Sequence, residues 1–297
     1  MDNVAVQTHL NHFKLLFEWF GRILAILGIA FVVTKLSQYS AQIHITQLQP
    51  LHFSIILGLS LMYACANSLL AMAWLQVLAH FNLVAPTQWA IKTYGVSQLS
   101  KYIPGNIFHI ASRQVIGQLS QLPAKALIQS SIYELLLLAL CGGVYAILTL
   151  HRFVVMDSLA SFLLFTVLSI NAFLIVRFTF SLALAKATCL YWLFLGCSGL
   201  IFLMLFHVFA APTWSLTLTL LVLGGYILAW LAGLVTPGAP AGIGVREAVL
   251  WLILQGTVQQ SDLLTIVVIG RIITSMGDVL FFATCALMKS TQWRHLP

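Results

Sequence analysis

Charge is the scarcest thing in this sequence. Of 297 residues only 7% are Asp, Glu, Lys or Arg, against 61% hydrophobic, and the mean hydropathy is +0.99. A soluble domain carries about 25% charged residues. So few charges cannot cover a water-facing surface of this size, which excludes a soluble fold and leaves lipid as the solvent for most of the chain. Acids are scarcer still: Asp2, Glu18, Glu134, Asp157, Glu247, Asp262 and Asp278 are all there are.

Other absences exclude whole classes of chemistry. The five cysteines, Cys65, Cys141, Cys189, Cys197 and Cys285, lie singly inside apolar runs. Without a CxxC pair they read as small apolar residues, with no redox or metal role. There is no HExxH, no Cys/His cluster and no Walker A sequence, so neither a metal nor a nucleotide cofactor is expected. Gly238 to Gly244 follows no strand, which excludes a dinucleotide fingerprint. The net charge of +7 is scattered rather than gathered into a basic run, so nucleic acid is not an expected partner. It fits loops that collect Lys and Arg on one side of a membrane.

What remains is a succession of apolar runs long enough to span. They cover about 20–36, 51–81, 126–150, 159–178, 187–210 and 263–288. His9, His12, Lys14 and Glu18 precede the first run, and no small-residue cleavage site follows it, so the start reads as an interfacial helix rather than a cleaved signal. His44 and His207, near run ends, read as interfacial. Trp74, Trp89, Trp192, Trp214 and Trp251 suit interfacial or packing roles.

Two regions break the pattern, Trp89–Gly117 and Trp214–Gly256. Each has an approach helix, a Pro-Gly interruption and a short helix, near Ile107–Gly117 and Gly244–Gly256. Irregular backbone at membrane depth survives only against protein or a watery cavity. The expectation is one all-α transmembrane domain over 1–297, with about six spans and two re-entrant hairpins, the broken-helix regions covering about 86–150 and 214–288.

With the N-terminus inside, Lys14, Arg22, Lys92, Lys125, Arg177, Lys186, Lys289 and Arg294 fall on the inner side, and Lys35 and Arg152 on the outer. That bias places both termini in the cytoplasm of a cytoplasmic (inner) membrane.

The two interruptions resemble each other. Pro104-Gly105 is followed by Ile110, Arg113 and Gln114; Pro237-Gly238 is followed at the same offsets by Ile243, Arg246 and Glu247. Three full spans separate them, which makes the repeat inverted. Inverted broken helices meeting near the midplane are a transporter arrangement.

The ionisable residues in the apolar regions are Arg113, Glu134, Arg246, Glu247, Arg271 and Asp278, with His109 and Lys101 beside the first hairpin. Each buried charge costs about 2.5–3.5 kcal/mol on insertion scales, roughly 15–20 kcal/mol for six, unless they pair or face water. Asn106, His109 and Arg113 share one helical face; Ser130, Ser131 and Glu134 share another; Arg271, Thr274, Ser275 and Asp278 share a third. Asn106 is placed to cap the helix after the first Pro-Gly. Gly242 and Gly244 would let a backbone or a head group approach closely. Two readings stay open. The arginines, aided by the helix N-termini, hold an anionic head group. Alternatively they close a structural network with Glu134, Glu247 and Asp278. Arg271 and Asp278, two turns apart, are expected to pair with other helices. His109 is a proton carrier in one reading and a hydrogen-bonded structural residue in the other.

Leu99-Ser100-Lys101-Tyr102-Ile103-Pro104-Gly105 with Arg113, and Thr236-Pro237-Gly238 with Gly242-Ile243-Gly244-Val245-Arg246-Glu247, resemble the signatures of the lysylphosphatidylglycerol synthase transmembrane-region family. The resemblance implies a membrane domain of two inverted halves that flips a lipid. The cytosolic synthase domain of the bifunctional members has no counterpart in this sequence, so it implies translocation rather than aminoacylation. Ala239-Pro240-Ala241 departs from the glycines usual at that point. Some members accompany cell-surface glycan pathways, which adds a polyprenyl-linked sugar to the phospholipid as candidate cargo and glycan-lipid pathway enzymes as candidate partners. A membrane-embedded lipid glycosyl- or phosphoryl-transferase, or a non-transporting partner subunit in envelope assembly, are the competing expectations.

Overall fold

In a computed structural model the described residues are 49–103, 107–210, 213–236, 240–257, 259–289 and 293. The first apolar run, Pro104, Gly105, Asn106, Pro237 and Gly238 lie outside them. Among the described residues the protein is all α-helix with short 3-10 turns and no strand, and six helices are long and apolar enough to cross a membrane. It is an all-α polytopic membrane protein.

The helices are α1 (Pro50–His80), α2 (Thr87–Gln98), α3 (Phe108–Leu119), α4 (Ala124–Ala146), α5 (Ser158–Thr179), α6 (Leu182–Ala210), α7 (Leu216–Val235), α8 (Val245–Leu254) and α9 (Gln260–Leu287). Their ends have local causes. Pro50 opens α1 where its missing N–H costs nothing. Asp157 caps α5 by accepting from the Leu159 N–H at 3.2 Å, and Ser215 caps α7 by accepting from Leu218 at 3.1 Å. Asn82 and Gln121 adopt left-handed backbone (φ 59° and 67°) just past α1 and α3, and the following N–H groups return to Leu78 and Gly117.

The two interrupted regions are not alike in length. α2 has 12 residues and runs on as a 3-10 turn, Leu99–Tyr102, before the 12 residues of α3. The approach helix of the second region, α7, has 20 residues and is long enough to cross, so only α8, with 10, is a short element there. The short helix expected after each interruption is present in both regions, whereas the approach helices differ, α2 being short and α7 long enough to cross. Polar residues explain the difference. α2 carries Thr93, Ser97 and Gln98 buried against protein, whereas α7 is apolar nearly throughout.

Packing among the helices comes in matched pairs. α1 packs against α6 at the centre. α2 lies on α9 and α7 on α4; α1 on α4 and α6 on α9; α1 on α9 and α6 on α4. α2 meets α3 as α7 meets α8, and α3 meets α4 as α8 meets α9. This is the pattern that a repeat of α1–α4 in α6–α9 requires. α5 lies outside the pairs and is the least buried of the six long helices.

Small residues set the closest crossings. A Cβ on Gly95 of α2 would meet Cys285 of α9 at 2.3 Å, and one on Gly224 of α7 would meet Leu148 and Thr149 after α4 at 2.9 Å. Membrane helices rely on such close packing, because lipid supplies no hydrophobic drive for association. At Gly277 of α9 the obstacle includes backbone, the Ser60 carbonyl at 2.9 Å, which cannot rotate away. We expect Gly277→Val to lower the melting midpoint of the detergent-solubilised protein, by the equivalent of about 1–3 kcal/mol. Gly58→Val, where nothing lies within 4 Å, should melt as wild type.

Candidate functional site

The described residues flanking the two interruptions, called the tips below, meet. Ala241, in the 3-10 turn of the second loop, packs on Leu99 and Tyr102 of the first, with Val279 and Phe282 of α9 against them. Both tips are fastened to one face of α9. Asp278, only 1% exposed, takes four donors: Lys101 Nζ at 2.8 Å, Tyr102 OH at 2.6 Å, and the amides of Asn67 and Gln98 at 3.1 Å each. Two turns earlier, Arg271 donates to the Ala241 and Gly242 carbonyls at 3.1 and 2.9 Å and to Glu247 at 2.5 Å. The helical stripe of Arg271 and Asp278 therefore pins one tip with each charge.

Gly242 and Gly244 both have positive φ, 72° and 85°. Gly242 faces backbone: a Cβ there would sit 2.6 Å from Gly233 Cα, so the close approach is that of α7. The Gly244 N–H donates to Glu247 Oε2 at 2.7 Å. The α8 N-terminus, expected from sequence to offer free N–H groups to an anion, is thus partly closed by its own Glu247, which also holds Arg271.

In the first half, Arg113 and Glu134, at 2% and 3% exposure, form a 2.6 Å ion pair. Tyr94 donates to the other Glu134 oxygen at 2.8 Å, and the Arg113 guanidinium lies over the Tyr94 ring at 4.4 Å and the Trp74 ring at 5.5 Å. Ser130 accepts from Trp74 Nε1 at 3.2 Å, and Ser131 accepts from Gln114 at 2.9 Å, so the stripe of Ser130, Ser131 and Glu134 is also engaged.

Arg246 is different. Its guanidinium lies over Trp230 of α7 at 5.4 Å, much as Arg113 lies over Tyr94 of α2. No carboxylate among the described residues pairs with it, and its buried Nε has no hydrogen-bond partner. The described acids are otherwise placed: three in ion pairs, Asp157 on the α5 cap, and Asp262 in the first turn of α9. Between the halves lies a cavity of about 50 Å³ lined by Tyr63, Tyr94, Lys101, His109, Arg113, Glu134, Trp230 and Arg246, among others. His109 Nδ1 is a second buried polar atom without a partner there. A neighbouring cavity of about 20 Å³ shares Trp230 and Arg246 and adds Tyr226, Phe202 and Val267. The larger space admits a few water molecules but no lipid head group.

Of the residues singled out from sequence, the structure gathers His109, Arg113, Glu134 and Arg246 around one cavity. It sends Glu247, Arg271 and Asp278 to fastening the tips. Asn67, Gln98, Tyr94, Tyr102 and Trp230 were not anticipated. A signal existed for two of them: Gln98, Lys101 and Tyr102 follow i, i+3, i+4, one face of a turn that closes on Asp278.

No protein-family model, curated protein or solved structure matches this chain. Among the described residues no group of His, Cys, Asp and Glu is placed to hold a metal.

The paired and unpaired arginines should separate on melting. Arg113→Gln strands the buried Glu134 and should cost about 3–5 kcal/mol. Arg246→Gln removes a cation that no acid compensates and should melt at or above the wild-type midpoint. Equal destabilisation by both would mean that Arg246 has a structural partner.

Proposed function

We propose that this protein is a lipid translocase of the flippase type, which moves an anionic or zwitterionic phospholipid or a polyprenyl-linked lipid across the membrane. Arg246 contacts the head group between the two loop tips. The observation that carries this reading is the Arg246 guanidinium, left without an acid among the described residues beside a cavity whose other charges are neutralised. An uncompensated buried cation is expensive, and residues of this kind mark ligand pathways in membrane proteins. Arg supplies planar, bidentate recognition of phosphate oxygens.

The matched packing of α1–α4 and α6–α9 supports an inverted repeat, with the site where the halves meet, as alternating access requires. The signature blocks shared with the lysylphosphatidylglycerol synthase transmembrane region point the same way. The cavity is too small for a head group, so admission requires the tips to part, and the Ala241 contact with Leu99 and Tyr102 is the gate. His109 completes the head-group contacts from the first half. We place the protein in the cytoplasmic (inner) membrane with both termini cytoplasmic, on the distribution of Lys and Arg among the loops. Enzymes of glycan-lipid pathways are the partners this reading accommodates. A lipid glycosyl- or phosphoryl-transferase would need a free carboxylate at the site, and Glu134, Glu247 and Asp278 are each held by a cation.

The test is a reconstituted-liposome assay with fluorescent phospholipids and a polyprenyl phosphate analogue, scored by access to a membrane-impermeant quencher. Wild type should move at least one lipid faster than protein-free liposomes, and Arg246→Gln should reduce that rate to background while inserting normally. Full activity in Arg246→Gln would remove the head-group role. No movement of any lipid by well-folded protein would remove the translocase reading.

A further inference from the structure

The two halves differ at one position in a way that specifies the charge of the occupant. Glu134, the partner of Arg113, stands 30 residues after Pro104; the residue 30 after Pro237 is Val267. Val267 does stand beside Arg246, in the wall of the smaller cavity. The first half therefore neutralises its arginine with its own carboxylate, and the second half carries a valine where that carboxylate would be. Counting the site as a whole, Lys101, Arg113 and Arg271 are matched one to one by Asp278, Glu134 and Glu247. The surplus is a single positive charge, on Arg246.

We infer that the site takes a head group of net charge −1 carried on a phosphodiester, the occupant filling the role that Glu134 fills for Arg113. This rests on the translocase reading and narrows its cargo. A phosphodiester holds one negative charge at any physiological pH. A phosphomonoester carries about −1.5 to −2 at neutral pH. A diphosphate also carries more than one charge, and either group would bring an uncompensated anion into a cavity walled by Trp230, Tyr226 and Phe202, whose other two charges, Arg271 and Glu247, already pair with each other. A zwitterion would leave Arg246 uncompensated overall. The chemistry is shared by two sources, a diacylglycerol phosphodiester such as phosphatidylglycerol and a polyprenyl phosphoryl sugar. Polyprenyl diphosphoryl sugars fall outside it.

The experiment is native mass spectrometry of the purified protein titrated with lipids matched in tail: phosphatidylglycerol, phosphatidate and phosphatidylethanolamine in one arm, polyprenyl phosphoryl and diphosphoryl sugars in the other. In whichever arm binds, the singly charged phosphodiester should bind about tenfold or more tightly than its partners. Val267→Glu, which supplies the missing carboxylate, should abolish that preference and most of the binding, while the neutral Val267→Gln retains both. A diphosphate or monoester bound as tightly as the phosphodiester overturns the single-charge inference and leaves translocation standing, as does undiminished binding by folded Val267→Glu. Binding of none of the lipids overturns the translocase reading with it. Should Val267→Glu fail to fold, the lipid series on wild type decides the matter alone.

Discussion

One face of α9 carries the constraint on which the site depends. Arg271 and Asp278 lie two turns apart on it, and each holds a different loop tip. Loop backbone inside a membrane needs partners that lipid cannot provide. Arg271 provides them directly by donating to two loop carbonyls, while Asp278 holds the other tip through side chains, accepting from Lys101 and Tyr102 in its 3-10 turn, Gln98 of α2 and Asn67 of α1. The tips are thus brought into contact by charges on a third element. Removing either charge would strand several buried polar groups at once.

This arrangement also resolves how so many ions survive in an apolar chain. Among the described residues around the site pairing is nearly complete: Arg113 with Glu134 and Arg271 with Glu247 join consecutive helices, and Lys101 with Asp278 joins the first tip to α9. Pairing of the other charges around the site, among the described residues, is what makes Arg246 informative. In a looser network one uncompensated arginine would find a carboxylate by rotating. Here the acids are each committed, and the Trp230 ring holds the guanidinium where it stands. Stability and function are in tension at that one residue, as expected where a site is kept ready for a ligand.

Much of the architecture was legible in the sequence, because composition and run length decide it. Spans at 51–81, 126–150, 159–178, 187–210 and 263–288 correspond to α1, α4, α5, α6 and α9 within a few residues. α7 reads from sequence only as the approach helix of a broken region, because Pro237-Gly238 follows its 20 residues directly, yet it is long enough to cross by itself. Among site residues, periodicity groups Ser130, Ser131 and Glu134 on α4 and Arg271, Thr274, Ser275 and Asp278 on α9, while the stripe that begins at Asn106 lies partly outside the described residues. It could not say what each face touches. Glu247 beside Arg246 in sequence pairs instead with Arg271, since adjacent helical residues point apart by about 100°. Lys101 as the partner of Asp278 depends on a tip-to-helix contact across 177 residues, which no local pattern encodes.

The most direct test of the account is the effect of an anionic phospholipid on thermal stability. A ligand that binds only the folded protein raises its melting midpoint in proportion to its binding. Wild-type protein titrated with phosphatidylglycerol in a neutral detergent should melt progressively higher, and Arg246→Gln should show no such rise. An equal rise in both would contradict the central claim, because the lipid would then be stabilising the protein without using the site arginine that no described acid pairs with.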